Sequence, residues 1–201
     1  MNNNFFGFDI GAIADELYDK SKLGGIVVPD FLSTGLRECL LAEVTKLSYK
    51  EAPKRYGRAY QELSCSELEA GAIHDFPAIC LLRETVLPSY EQIALRAHFE
   101  NRLMLNSVVV NRFERGSTGI TPHRDENKYI NVIYIFVISG EAAFYVCTDR
   151  KKSCVEELPA MPGSLILLRA QRNANEKGRP MHAVGPVTKE RHTISFRDYA
   201  K

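Results

Sequence analysis

The tripeptide His123-Arg124-Asp125 and the distant His182 carry the side chains of this sequence that are best suited to hold a metal ion. Two imidazoles and one carboxylate form the facial triad of non-heme Fe(II) oxygenases, which leaves other coordination positions open. On a β-strand, residues two apart point to the same face, so His123 and Asp125 could bind one ion together. His182 would have to fold back from a later strand. The sequence predicts these three residues as metal ligands and catalytic centre.

Two other interpretations of these residues remain open. A His-x-Asp pair arises by chance in many proteins and is weak evidence for a metal by itself. A structural zinc site usually has four ligands and often uses cysteine. The five cysteines lie at no metal-binding spacing: Cys39, Cys65, Cys80, Cys147 and Cys154. Scattered and odd in number, these thiols are expected to be reduced, which indicates a cytoplasmic protein.

Arg191 and Arg197 bracket His192-Thr193-Ile194-Ser195-Phe196 and lie six residues apart, so on a strand both side chains point to the same side. Two guanidiniums inside a β-sandwich need an anion, because an unpaired buried charge is costly. A dicarboxylate would serve, since a guanidinium binds a carboxylate through two parallel hydrogen bonds. The alternatives are an edge strand with solvated arginines, or arginines that pair with carboxylates of the protein.

Periodicity predicts the elements that must position these side chains. Helical spacing predicts a helix over 34–49, with Ser33 or Thr34 as N-cap, and a second from Pro88 to about Asn101. Short runs rich in Val, Ile, Tyr and Phe predict strands at 105–113, 130–138, 142–147, 164–168 and 192–197. Residues 50–75 are predicted to be loop and short hairpin. Alternation leaves open which face of the strand over 129–138 lines the site.

These elements predict an α+β fold in one domain, 1–201. Residues 1–104 would supply mainly helices, loops and a substrate lid, and residues 105–199 a β-sandwich that forms the catalytic core. No apolar run is long enough for a membrane span, and the N-terminus lacks the features of a signal peptide, so we expect no membrane association. The sequence carries no signal for an oligomeric state.

Charge divides unevenly between the halves of the chain. Residues 1–100 carry ten basic and fifteen acidic side chains, and residues 101–201 carry sixteen and ten, within a net charge of +1. The half with the candidate metal site is therefore basic, which suits a small anionic co-substrate. The excess is smaller than that expected of a nucleic-acid-binding domain.

From about residue 106 to 198, the chain resembles the AlkB-like group of Fe(II)/2-oxoglutarate dioxygenases. The matching residues are Asn111-Arg112-Phe113-x2-Gly116, His123-x-Asp125, Pro162-Gly163-Ser164-Leu165, His182 and Arg191-x5-Arg197 with its ending Ser195-Phe196-Arg197. The His-x-Asp and distant His are shared by the whole superfamily, whereas the R-x5-R ending is more particular to AlkB-like members. The resemblance implies a double-stranded β-helix, which is a jelly-roll or cupin-like sandwich, supported here by N-terminal helices.

The resemblance also implies roles for individual residues. The metal would be Fe(II), with 2-oxoglutarate and O2 as co-substrates. Arg191 would bind the distal carboxylate of 2-oxoglutarate, and Arg197 with Asn111 would lie near its chelating end. Thr193 stands where the family has an asparagine, and Phe113 where it commonly has a tyrosine. We therefore expect Arg191, Arg197, Asn111 and Thr193 to form the co-substrate site.

Three functions follow from these expectations. The first is a dioxygenase that hydroxylates a C–H bond of a small-molecule or protein substrate, with release of succinate and CO2. The second is an AlkB-type oxidative demethylase of alkylated nucleic acid, in which Tyr56 would belong to a basic, aromatic lid. The third is a non-enzymatic jelly-roll binding module. Several demethylases have an acidic residue where Asn127 stands, so the first is favoured, with Asn127, Tyr129 and Tyr56 as substrate contacts.

Overall fold

The computed structural model describes residues 4–5, 8–68, 71–99, 105–171 and 179–199. Its helices are α1 (Ile10–Tyr18), α2 (Thr34–Val44) and α3 (Pro77–Arg96), with a 3-10 turn at Ala72–Asp75. Its strands are β1 (Asn4–Phe5), β2 (Phe8–Asp9), β3 (Gly25–Val28), β4 (Lys50–Glu51), β5 (Arg55–Tyr56), β6 (Ala59–Tyr60), β7 (Ser64–Leu68), β8 (Ser107–Phe113), β9 (Ile120–His123), β10 (Tyr129–Cys147), β11 (Val155–Leu158), β12 (Leu165–Arg169) and β13 (Met181–Tyr199).

Nine strands form one hydrogen-bonded system that the two longest strands, β10 and β13, fold into two layers. The first layer has the strand order β3-β12-β10-β13-β8-β7-β4. At the other ends of the long strands, β11 pairs with β10 and β9 pairs with β13, which forms the second layer. All of these strand pairs are antiparallel. The predicted α+β fold with a double-stranded β-helix is confirmed.

The change from one layer to the other requires a glycine in β10. Gly140 has φ +82, and a Cβ at this position would lie 2.1 Å from the carbonyl oxygen of Glu190 in β13. The β10–β13 pairing shifts register on both sides of Gly140, as bulges do where a strand bends. The predicted strands 130–138 and 142–147 are therefore the two halves of a single strand.

Side chains of β10 alternate between two cores. Tyr134 and Phe136 pack against the helices on the outside of the first layer, in a cluster that includes Leu17, Leu40, Leu82 and Ile93. Ile133 and Ile135 point to the space between the layers, where Phe144, Val184 and Val187 also lie. The face that carries residues 133 and 135 is therefore the one that looks toward the candidate site.

Helix α2 begins as the sequence predicts, because the Ser33 side chain accepts a hydrogen bond from the Leu36 amide. Helix α3 begins at Pro77, so the prediction of a start at Pro88 was wrong, and Pro88 lies inside the helix. The carboxylate of Glu43 in α2 accepts hydrogen bonds from the first amides of α3, those of Ala78 and Ile79. The cap comes from another helix, so the local signal for this start is Pro77 at the beginning of the helix, a position that proline favours. The helix ends at Arg96, so the predicted end near Asn101, a residue outside the described ranges, was also wrong.

The first half of the chain adds strands as well as helices to the sandwich. Strand β3 pairs with β12 at one edge, and β7 pairs with β8 toward the other. The segment predicted as loop and hairpin contains the β5–β6 hairpin between β4 and β7. The role of residues 1–104 as support and lid stays a prediction. Within the described residues, no helix combines the length and apolar character that crossing a membrane requires.

Asn131, near the start of β10, connects the sheet to two helices. It is fully buried and has φ 65, in the left-handed region. Its Nδ2 donates a hydrogen bond to the Tyr90 hydroxyl of α3 at 3.0 Å, and its carbonyl accepts one from the Tyr18 hydroxyl of α1 at 2.6 Å. Asparagine tolerates this backbone conformation better than most residues with a Cβ.

We expect Asn131→Val to lower the free energy of unfolding by about 3 kcal/mol. A β-branched side chain opposes the left-handed conformation, and the buried Tyr90 hydroxyl loses a partner. Asn131→Gly loses the same hydrogen bond without backbone strain, so its loss should be smaller. Urea unfolding of the three proteins measures the difference, and equal losses for the two variants would contradict the strain argument.

Candidate metal centre

The pairing of β9 with β13 sets two imidazoles against each other. His123, the last residue of β9, is the register partner of His182, near the start of β13, and their ring centroids lie 4.2 Å apart. The strands approach closely just before β9, where Gly119 has φ +78 and a Cβ would lie 2.4 Å from the Val184 carbonyl oxygen. This backbone contact therefore brings together two histidines that are far apart in sequence.

Asp125 reaches the same point from a loop. It follows β9 without belonging to a strand, so the expectation that strand alternation aligns it with His123 was wrong. Its backbone carbonyl accepts a hydrogen bond from Arg179 Nη1 at 3.0 Å, which ties the loop to the segment before His182. Asp125 Oδ2 lies 3.9 Å from His182 Nε2. One ligand atom from each of the three residues lies within 4.8 Å of the other two.

The protonation states of the three side chains suit metal binding. His123 Nδ1 lies 3.0 Å from the Thr121 carbonyl oxygen, which can only accept, so Nδ1 carries the proton and Nε2 is free for a metal. Burial lowers the pKa of His123, and burial lowers that of His182 to about 3. Burial opposes ionisation of Asp125, but attraction to charged neighbours, first Arg197, outweighs it and lowers the pKa to about 2.

The donor set fits a divalent transition metal. Asp125 Oδ2 is buried and has no hydrogen-bond partner among the described residues. Such an atom is costly in a protein interior unless something compensates it, and a cation between Asp125 and the two imidazoles would do so. Two imidazole nitrogens and one carboxylate oxygen are the donors of the Fe(II) facial triad.

A cavity of about 50 Å³ adjoins these ligands between the two layers. Alternate residues of β13 line it, namely Arg191, Thr193, Ser195 and Arg197, as their even spacing predicts. Asn111 of β8 lies on the same cavity, and apolar side chains complete the wall: Phe113, Ile120, Ile135, Phe144 and Val184. The structure thus brings all four residues predicted to bind the co-substrate to one space beside the metal ligands.

Arg191 is a buried cation at the inner end of this set. It is 1% exposed, and its Nη1 donates to the carbonyls of Ala142 and Ala160 at 3.2 and 3.3 Å. Burial lowers the pKa of Arg191 to about 10, so the guanidinium stays charged at neutral pH. Among the described residues its Nε has no partner and no carboxylate pairs with it. Arg191 is therefore neither solvated at a sheet edge nor paired with a described carboxylate. A bound anion would balance its charge.

Arg197, at the other end of β13, contacts a metal ligand. Its Nη2 lies 3.7 Å from Asp125 Oδ1, and its guanidinium lies over the Tyr129 ring, 4.7 Å from the centroid. Tyr129, a predicted substrate contact, is 5% exposed and packs against Arg197. The positive charge of Arg197 therefore stabilises the ionised form of Asp125.

A wider cleft of about 390 Å³ reaches Asp125 from outside. Tyr56 and Asn127, the other two predicted substrate contacts, lie on it, and Arg179 donates a short hydrogen bond to Asn127 Oδ1. The rest of the lining is Glu126, Met181 and three arginines, Arg124, Arg150 and Arg179. Sequence reasoning missed these arginines. Arg124 and Arg179 lie within three residues of metal ligands, but no sequence signal links them to Arg150.

No protein-family model and no curated protein matches the sequence, whereas many solved structures share its fold. A prolyl-4-hydroxylase from Pseudomonas putida is similar with a TM-score of 0.72 and 13% identity, over 96% of this chain and 100% of the other. A Trichoplax adhaerens prolyl hydroxylase, solved with a hypoxia inducible factor peptide fragment, has a TM-score of 0.69 and 13% identity, over 94% of this chain and 90% of the other. A 2OG-Fe(II) oxygenase family oxidoreductase from Burkholderia pseudomallei has a TM-score of 0.64 and 13% identity, over 94% of this chain and 89% of the other.

At these identities the likeness shows the fold, which is the double-stranded β-helix of the 2-oxoglutarate/Fe(II) oxygenases. Two of the three similar structures are prolyl hydroxylases. The comparison therefore supports the fold that the resemblance implies and does not single out the AlkB-like subtype.

We expect His123→Ala and Asp125→Ala each to weaken Mn(II) binding by about 100-fold or more. Loss of a ligand should exceed the roughly 10- to 100-fold cost of altering a residue that only orients a ligand. Calorimetric titration with Mn(II) measures the affinity, with His74→Ala, a change at an exposed histidine outside the site, as control. Wild-type affinity in the two ligand variants would remove these residues from the metal site.

Proposed function

We propose that this chain is an Fe(II)/2-oxoglutarate-dependent dioxygenase that hydroxylates a C–H bond of a small-molecule or protein substrate, with release of succinate and CO2. The observation that carries the proposal is that three candidate metal ligands and the buried, unpaired Arg191 line one cavity. A metal site alone would suit many activities. A buried cation beside it meets the requirement of a dicarboxylate co-substrate that must bind the metal at one end.

In this proposal His123, Asp125 and His182 hold Fe(II), which together with 2-oxoglutarate activates O2 and supplies the oxidising chemistry. Arg191 binds the distal carboxylate of 2-oxoglutarate, and Asn111, Thr193 and Arg197 line the space toward its chelating end. Phe144 stacks on the His182 ring at a centroid distance of 5.8 Å. Together with the other apolar wall residues, it fixes the ring and excludes water from the cavity.

The substrate enters through the outer cleft, because Asp125 lines both that cleft and the inner cavity. A group bound there lies beside the metal without displacing the co-substrate. The Trichoplax adhaerens enzyme was solved with a peptide fragment, which supports a protein side chain as one form of substrate. The AlkB-like subtype and oxidative demethylation of nucleic acid rest on the R-x5-R ending and stay predictions.

Substrate-stimulated succinate release tests the proposal. The chain is supplied with Fe(II), ascorbate and 2-oxoglutarate, and candidate substrates are screened as amino-acid-like metabolites, peptides and methylated oligonucleotides. We expect succinate to form in the wild type and not in His182→Ala. A wild-type chain that fails to bind Fe(II) or Mn(II) and consumes no 2-oxoglutarate would instead be the predicted binding module.

We expect Arg191→Ala to raise the KM for 2-oxoglutarate by about 100-fold or more, because removal of one partner of a buried charge pair costs about 3–5 kcal/mol. Arg191→Lys keeps the charge but loses the planar, two-point contact, so its KM should rise less. Arg115→Ala, at an exposed arginine away from the cavity, serves as control. Succinate release against 2-oxoglutarate concentration gives the KM, and a wild-type value in Arg191→Ala would exclude the assigned role.

A further inference from the structure

The three arginines of the outer cleft are held in place by backbone carbonyls. Arg124 Nε donates to the Arg179 carbonyl at 2.9 Å, and Arg150 Nη1 donates to the Pro122 carbonyl at 2.6 Å. Arg179 Nη1 donates to the Asp125 carbonyl at 3.0 Å. These contacts fix the positions of the guanidiniums around the metal-ligand loop without neutralising them.

The cleft carries more positive charge than its carboxylates balance. Among the described residues, Arg124, Arg150 and Arg179 form no ion pair with a carboxylate. Glu126, on the same cleft, pairs with Lys128 at 3.2 Å, and the Asp125 carboxylate faces Arg197 and the two histidines. Like charges that line one cleft repel one another, and an anion between them would relieve the repulsion.

Two of these arginines also have donors to offer a ligand. A guanidinium has five N–H groups in one plane, and the contacts within the described part of the chain use one nitrogen each of Arg124 and Arg150. Both side chains are exposed. Arginine binds carboxylate and phosphate through paired, parallel hydrogen bonds, which gives the site both charge and geometric selectivity.

On the side of the β5–β6 hairpin, which itself carries the exposed Arg55 and Arg58, the cleft gives way to a groove with several carboxylates, which favours a compact anion over a polyanion. Tyr56 of the β5–β6 hairpin lies on the cleft, whereas Lys54 and Gln61, which flank the hairpin, lie on a neighbouring groove. That groove also carries Arg115 and three carboxylates, Glu51, Glu62 and Glu114. A nucleic acid that continued from the cleft past the hairpin would meet these carboxylates.

We propose that the substrate is a small molecule with a phosphate or carboxylate group, which Arg124 and Arg150 hold in the outer cleft and to which Arg179 adds the attraction of its charge. The anion fixes one end of the molecule while the carbon to be oxidised points to the centre formed by His123, Asp125 and His182. Tyr56 offers an aromatic surface to the carbon skeleton between them. The oxidation of this substrate rests on the proposed function, whereas the anion site itself does not.

Binding can be measured without turnover by NMR titration of the 15N-labelled full chain. The probes are glycerol 3-phosphate, glycerate and glycerol, which share a three-carbon skeleton and differ in charge. Each is added to the metal-free chain and to the chain loaded with Zn(II), a diamagnetic metal, and 2-oxoglutarate. We expect saturable shifts at the amides of residues 124, 125, 150 and 179 with at least one anionic probe and none with glycerol.

The matched variants are Arg150→Gln, Arg124→Gln and the pair combined, with Arg115→Gln as control. We expect the combined variant to bind the anionic probe about tenfold or more weakly, because it loses hydrogen bonds from two charged donors, while Arg115→Gln binds it like the wild type. Stronger binding of glycerol 3-phosphate or of glycerate identifies the anionic group as phosphate or carboxylate.

No saturable shift with either anion, or equal affinity in the wild type and the combined variant, would overturn the anion site. Saturation by an oligonucleotide with far higher affinity than by either small anion would overturn the compact-anion assignment. Failure of the proposed dioxygenase activity can be distinguished from failure of the anion site. A chain that binds glycerol 3-phosphate but neither Zn(II) nor 2-oxoglutarate would retain the anion site and contradict the dioxygenase activity.

Discussion

The antiparallel pairing of β10 with β13 is the interaction on which the rest of the structure depends. It runs from Tyr129 opposite Tyr199 to Cys147 opposite Met181, and it crosses both layers of the sandwich. Because one strand contributes to both layers, His182 at its start and Arg191 and Arg197 toward its end face the same enclosed space. The candidate co-substrate residues of β13 and one candidate metal ligand are therefore positioned by one strand that pairs with β10 in both layers, rather than by separate loops.

The same geometry places charged side chains in the interior of the sandwich. The sandwich buries Arg191 and nearly buries Arg197 and Asp125, but only Arg197 and Asp125 compensate each other within the protein. An interior that keeps such charges must bind the ions that complete them, because leaving them unpaired is costly. The unpaired Asp125 oxygen and the unpaired Arg191 nitrogen, on residues that line one cavity, are thus the observations from which we infer a bound cation and a bound anion.

Much of the fold and the centre could be predicted from the sequence. The period of two in a β-strand was enough to place Arg191 and Arg197 on one face, and the chemistry of histidine and aspartate was enough to select His123, Asp125 and His182. The strand argument for Asp125 was nevertheless wrong, because a loop, held by Arg179, does the positioning. Local patterns describe side-chain direction well only where the backbone is regular.

What the sequence could not predict depends on contacts between distant segments. The first turn of α3 is capped by Glu43 of another helix, and the bend that joins two predicted strands into β10 depends on the close approach of Gly140 to β13. The basic cleft joins arginines from three separate segments. No composition or periodicity within a window of ten or twenty residues contains such information.

The location of Arg150 has a consequence for how this molecule could diversify. It lies in the tight turn between β10 and β11, where Asp149 Oδ1 accepts hydrogen bonds from the amides of Lys151 and Ser153 at 2.8 and 3.1 Å. This turn contributes to the cleft but contains none of the candidate residues for the metal or the co-substrate. Mutations, insertions or grafted sequences there would change molecular recognition separately from the oxidising centre, so new specificities could evolve or be engineered on an unaltered reaction core.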